Sequence, residues 1–269
     1  MIQPESTETD SRPLDGRHAL VTGGGRGIGA AIAETLASQG CSVSLVGRTE
    51  APLAAHAKFL ADRHGVKTAY ATADVADPAS VNGAFATQRA ALGPIAILIN
   101  NAGIALAAPI AKIKIEDWRR TLDVDLTGPF LCARAALPDM LAAKWGRIVT
   151  VASTAGLKAY PYVAPYVAAK HGVIGLTRAL ALELAKTGVT VNAVCPGYTE
   201  TEIVEDAVKN IVAKTGRSAA EARAELVKSN PQGRMIRPAE VAATVAFLFA
   251  ETAASVTGQA IAVAGGEVM

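Results

Sequence analysis

Seven short apolar runs rich in β-branched residues punctuate the chain: HALVT (18–22), SVSLV (42–46), KTAYAT (67–72), IAILI (95–99), RIVTV (147–151), VTVNAV (189–194) and AIAVA (260–264). Most are near-continuous rather than alternating, the pattern of strands covered on both faces of a parallel sheet. Ala-rich stretches with helical patterning fill the gaps. The βαβ rhythm predicts a single α/β domain, a doubly wound parallel sheet of about seven strands with helices on both faces. The polar residues 1–14 read as a flexible tail and 15–269 as the domain. One stretch breaks the rhythm: residues 199–238 hold two helical patterns and no strand. An insertion that long is expected to be a lid or binding loop.

Composition narrows the partners. The chain has 269 residues, 51% of them hydrophobic and 19% charged, enough for a substantial core. Twenty-six basic and 24 acidic residues give a formal charge of +2 without a long run of either sign. Neither nucleic acid nor a membrane surface is an expected partner. Cys41, Cys132 and Cys195 are scattered without a CxxC pair, which fits free thiols in a reducing compartment better than disulfides or a zinc site; no metal is expected. The first residues, MIQPESTETDSRP, are polar and acidic, unlike a secretory or transit peptide, and no apolar run reaches the ~18 residues of a membrane span. A cytoplasmic protein is expected.

Chemistry first appears in TGGGRGIG (22–29), after the first strand and opening a helix. Glycines there let the backbone approach a pyrophosphate, and amides at the helix N-terminus stabilise its charge. Thr22, Gly23, Arg26, Gly27, Ile28 and Gly29 are the contact candidates of a Rossmann-type dinucleotide site. The second strand ends in VGRT, without the carboxylate that would bind the ribose hydroxyls of NAD. Arg48, and Arg26 in the glycine loop, can instead fork onto a 2′-phosphate. NADP(H) is favoured, with NAD(H) open, the plain alternative being that both arginines are solvated surface charges.

YVAAK (166–170) spaces Tyr166 and Lys170 one helical turn apart on a shared face. A free phenol titrates near ~10. A neighbouring ammonium stabilises its phenolate and makes the pair a usable general acid/base. Ser153 follows the fifth apolar run, where the carboxyl ends of strands face the ligand crevice, and its hydroxyl could donate to a substrate oxygen. A helix-surface pair and a turn serine are the plain alternatives.

Taken with NNAG (100–103), VASTAG and CPGYTET (195–201), these motifs resemble the short-chain dehydrogenase/reductase family, from about Leu14 to the carboxyl terminus. The resemblance implies that Tyr166 exchanges a proton with the substrate oxygen and Ser153 polarises it. Lys170 would hold the nicotinamide ribose and ease loss of the phenolic proton. It also places Asp74 and Val75 near the adenine, Asn101, Ala102 and Gly103 against the adenosine ribose, and Pro196, Gly197 and Thr199 around the nicotinamide. A homotetramer is expected by the same resemblance.

One position departs from the family. An asparagine usually supports a water chain to the catalytic lysine, whereas TLDVDLTG has Asp125 there. A carboxylate accepts hydrogen bonds but cannot donate, and its charge would hold the Lys170 proton more firmly. Three accounts stay open: the relay tolerates Asp, activity is reduced or shifted to higher pH, or cofactor binds without efficient turnover. The first is preferred because Ser153, Tyr166 and Lys170 are all present.

The insertion resembles the substrate lid of 3-hydroxybutyrate dehydrogenases and polyketide ketoreductases, with NPQGRMIRP matching the loop before their last helix. Val204, Val208, Ile211 and Val212 recur at helical spacing and could face an acyl chain or pack the lid itself. The leading expectation is an NADP(H)-dependent oxidoreductase interconverting a ketone and a secondary alcohol, on a 3-oxoacyl or 3-hydroxyacyl thioester of CoA or a carrier protein. An NAD-dependent dehydrogenase of a small hydroxy acid or an alicyclic or aromatic alcohol is the alternative. A cofactor-binding scaffold or redox sensor is the third.

Overall fold

A computed structural model describes residues 12–269, so most of the expected tail lies outside the described residues. Of its last members, Leu14 is buried in the core and its amide donates to the Gln39 carbonyl at 3.0 Å. The seven runs form seven strands: β1 (His18–Thr22), β2 (Ser42–Gly47), β3 (Thr68–Thr72), β4 (Ile97–Asn100), β5 (Gly146–Val151), β6 (Val189–Pro196) and β7 (Ala260–Val263). They make one sheet in the order β3-β2-β1-β4-β5-β6-β7, every pair parallel.

Side-chain alternation divides each central strand between two cores. Ala19, Val21, Ile97, Ile99, Val149 and Val151 face a cluster shared with α1 (Gly27–Ser38), α2 (Glu50–His64) and α9 (Pro238–Phe247). Leu20, Leu98 and Ile148 face the opposite cluster with α3 (Pro78–Leu92) and α5 (Gly128–Ala143). Both faces of the central strands are therefore dry, which is why those strands read as near-continuous apolar runs, while the edge strands β3 and β7 are partly exposed. Strand order reverses between β1 and β4. The loops after β1, β4 and β5 open on that switch point, where such sheets bind ligands.

Two local features set the site. Helix α4 (Ile115–Leu122) runs into α5 through a π-helical turn, Asp123–Thr127. Pro129 explains it: proline has no amide for the carbonyl four residues back, that of Asp125, and its ring crowds that carbonyl. The segment that carries Tyr166 and Lys170 is α6 (Ala164–Glu183), 20 residues long and buried along Ala169, Lys170, Val173, Ile174 and Thr177.

The insertion folds as α7 (Glu202–Thr215) and α8 (Ala219–Val227). Val204 and Val208 pack on Ala222, Leu226 and Met235, with Ile211 and Val212 partly buried beside them, so this apolar stripe makes a small core of its own. The two ends of the insertion are joined by a parallel bridge between Thr199 and Ile236.

Candidate active site

Lys170 is the centre of the site. It is 4% exposed, and its Nζ donates to the Val151 carbonyl at the end of β5 at 3.1 Å. Asp125 Oδ1, fully buried, lies 3.4 Å away, and the Tyr166 ring centroid is 5.4 Å from the ammonium. The Asp125 carboxylate also accepts from the Ile104 amide at 3.3 Å. Burial pushes the Asp125 carboxyl up, against the pull of Lys170. Burial acts to lower Lys170, yet Asp125 and then Tyr166 outweigh it and its pKa rises, so the ammonium keeps its proton. Gly103 makes this packing possible, because a Cβ there would lie 2.6 Å from Asp125 Oδ1.

Ser153 sits just beyond β5 at the start of a short turn, Thr154–Gly156, and its Oγ accepts from the Ala155 amide at 3.0 Å. That bond orients the hydroxyl and leaves its proton to give. The turn rests on α6 directly at Lys170: a Cβ on Gly156 would stand 2.6 Å from the Lys170 carbonyl. Ser153, Tyr166, Lys170 and Asp125 are thus held by β5, α6 and the π turn. His171 points away, its Nδ1 bonded to the Val167 carbonyl at 2.9 Å on the exposed side.

The glycine loop fits a dinucleotide. Gly23 turns at φ +66, and a Cβ on Gly29 would collide with both Asn101 Nδ2 and the Gly23 carbonyl, so the loop closes only without side chains. Thr22 Oγ1 accepts from the Asn101 and Ala102 amides at 3.0 and 3.1 Å and donates to the Ile99 carbonyl, joining the β1 and β4 ends. The Asn101 side chain, placed against the ribose by the family resemblance, donates here to the Thr22 and Gly23 carbonyls and staples the loop. Ile28 packs against the core beneath it.

The two arginines differ. Arg26 pairs with Glu202 in the first turn of α7. Arg48 is exposed at the end of β2 and, among the described residues, makes no ion pair. Asp74 bonds Arg120 at 2.8 Å and feels the Arg48 charge; despite partial burial, its Ala76 amide bond and these cations hold its carboxyl below the usual range. Val75 is buried against Gly128. Beyond β6, Pro196 and Gly197 lead to buried Thr199, whose hydroxyl donates to the Gly197 carbonyl at 3.0 Å.

Sequence patterning missed three neighbours of this site: the Arg26–Glu202 pair, the Asn101 staple, and a group of Thr154, Tyr160 and Glu267. Only Pro129 left a readable signal, for the π turn.

Comparison with known proteins agrees with this geometry. The family model described as short chain dehydrogenase matches residues 17–211. A D-beta-hydroxybutyrate dehydrogenase of Cupriavidus necator is 40% identical over 91% of this chain and 95% of its own. The 3-oxoacyl-(acyl-carrier-protein) reductase FabG of Aquifex aeolicus is 38% identical over 94% and 98%. The crystal structure of a point variant of actinorhodin polyketide ketoreductase with NADPH superposes with a TM-score of 0.89 at 39% identity, covering 93% of this chain and 97% of that one. On this likeness and the assembled motifs, the chain belongs to the short-chain dehydrogenase family and is an oxidoreductase acting on CH–OH groups.

Proposed function

We propose that this chain interconverts a ketone and a secondary alcohol with NADP(H), Tyr166 acting as general acid/base, and that the substrate is a 3-oxoacyl or 3-hydroxyacyl thioester. The observation that carries the reading is the Lys170 ammonium fixed between Val151 O and Asp125 beneath the Tyr166 ring, next to Ser153. Ser153 donates to the carbonyl oxygen and supports charge as it builds there. Tyr166 gives its proton to that oxygen and, being partly open to solvent, recovers one from water. Lys170 carries the positive charge that stabilises the phenolate meanwhile. In the oxidative direction the same groups act in reverse.

The glycine loop, Asn101, Ala102, Gly103, Asp74 and Val75 would hold the adenosine half, and Pro196, Gly197, Thr199 and Lys170 the nicotinamide half. When bound, the nicotinamide supplies or accepts the hydride at the substrate carbon. Arg48, which makes no ion pair among the described residues, is the first group for a 2′-phosphate, and Arg26, paired at the surface with Glu202, is the second. The likeness to FabG and to an NADPH-bound ketoreductase supports both the thioester and NADPH. Residues 199–238 act as the substrate lid. Exposed Phe130 and Leu141 on α5 and Leu182 on α6 offer apolar surface for a homo-oligomer, and three buried free thiols suit a cytoplasmic setting. No helix among the described residues is long and apolar enough to cross a membrane.

The likeness to D-beta-hydroxybutyrate dehydrogenase supports a second reading, an NAD-linked dehydrogenase of a small hydroxy acid. Fluorescence titration with NADPH and NADH, followed by turnover on 3-oxoacyl thioesters and 3-hydroxy acids, separates the two. Tighter NADPH binding with thioester reduction supports the first. NADH preference with hydroxy-acid oxidation supports the second, and binding without turnover on any substrate leaves only a cofactor-binding role.

A further inference from the structure

Glu267 is a carboxylate near the end of the chain, yet its side chain is only 1% exposed. Its Oε1 accepts from the Tyr160 hydroxyl at 2.6 Å and pairs with Lys158 Nζ at 3.0 Å. Lys158 also lies over the Tyr160 ring, 5.0 Å from its centroid. Tyr160 Oη is 2.7 Å from Thr154 Oγ1. A phenol has one proton and an ionised carboxylate none, so the order of donation is fixed: Thr154 to Tyr160, Tyr160 to Glu267. Despite burial, these donors hold the Glu267 carboxyl below its usual range. The chain of bonds therefore ends one residue from Ser153.

The same carboxylate reaches the other side of the site. Its Oε2 is so close to Gly197 that a Cβ there would stand 3.1 Å away, and Ser229, at the end of the lid, adjoins it. The turn that delivers Glu267 is built against that lid stem. Gly265 and Gly266 adopt φ +62 and +92, and a Cβ on Gly265 would collide with Asn230 Oδ1. Asn230 in turn donates to the Arg234 carbonyl at 2.7 Å. Lys158, Tyr160 and Thr154 belong to the β5–α6 loop; Gly197, Ser229 and Asn230 belong to the two stems of the lid.

We propose that Glu267 is a positioning residue, a carboxylate clasp that ties the loop bearing Ser153 to the lid stem and so sets the Ser153 hydroxyl for the ketone. The catalytic part of this proposal rests on the oxidoreductase reading above; the mechanical part does not. A buried carboxylate serves this purpose because it accepts from several donors at once, and one charge-assisted hydrogen bond holds more firmly than a neutral one.

Hydrogen–deuterium exchange and kinetics on full-length Glu267→Ala, Glu267→Gln and Tyr160→Phe test it. In Glu267→Ala, amides of 153–160 and 228–236 exchange about tenfold faster while those of α1 are unchanged. kcat for the ketone falls roughly tenfold or more, with the NADPH Kd within about twofold of wild type. Glu267→Gln, which still accepts from Tyr160, recovers part of the loss. The Tyr160→Phe and Glu267→Ala losses are less than additive because they break the same chain. Unchanged exchange in either segment overturns the clasp, and an active wild type whose kcat survives Glu267→Ala overturns the positioning of Ser153. A wild type that turns over no ketone overturns the oxidoreductase reading instead, while the exchange data still decide the clasp.

Discussion

Asp125 and Lys170 face each other at 3.4 Å in the interior, the carboxylate wholly excluded from solvent and the ammonium nearly so. Each charge is tolerated because of the other: removing one member of a buried pair strands its partner. Where the family usually supplies a neutral amide, this chain supplies a counter-ion. Asp125→Asn removes that counter-ion and makes the Lys170 ammonium a stronger partner for a developing phenolate on Tyr166. The pH for half-maximal alcohol oxidation should then move down, by about half a unit to one unit, with the NADPH Kd little changed. An unmoved pH profile in a folded variant takes Asp125 out of the catalytic relay.

On the proposed reading, Arg48 is the residue that should separate the two nicotinamide cofactors. With Arg26 paired at the surface to Glu202, that reading gives the 2′-phosphate first to the exposed Arg48 guanidinium. A hydrogen bond to a charged group is worth about 1.5–3 kcal/mol, so Arg48→Ala should weaken NADPH binding roughly 10- to 150-fold. NADH binding should stay within about twofold, and both are read by fluorescence titration. Equal losses for the two cofactors would mean that Arg48 touches something they share.

His18 gives the fold a pH limit. The ring is buried in β1, its Nδ1 2.8 Å from the Gly93 carbonyl and its Nε2 2.7 Å from Ser44 Oγ. Burial lowers its pKa despite the Gly93 carbonyl, so the folded protein keeps the ring neutral. The unfolded ring protonates below ~6.5. This contribution to stability is therefore full above that pH and is lost as pH falls toward the lower folded value. The urea midpoint should drop between pH 7.5 and 5.5, and drop less in His18→Gln. Parallel curves for the two proteins would show that His18 does not titrate on unfolding.

The fold was legible because both faces of the central sheet are covered: runs such as HALVT and RIVTV are buried from end to end and so lack the alternation of a half-exposed strand, and each became a strand within a residue or two. Tyr166 and Lys170 were legible because helical spacing alone puts them on one face. Asp125 could be seen as unusual, but its closeness to Lys170 depends on the π turn that Pro129 imposes. The pairing of Arg26 with Glu202, 176 residues away, could not be read because nothing local reveals it. Glu267 lies 107 residues from Tyr160 and belongs to no motif, so only tertiary packing discloses it. Long-range polar pairs leave no period in a sequence.

The most direct test of the account is single-turnover reduction of a 3-oxoacyl thioester by NADPH, followed by stopped-flow absorbance, in wild type and in Tyr166→Phe. Wild type should consume one NADPH for each 3-hydroxyacyl product, and the variant should be slower by about 10² to 10⁴ with its NADPH Kd unchanged. Equal rates in the two proteins would contradict the account, because the proton would then come from some group other than Tyr166.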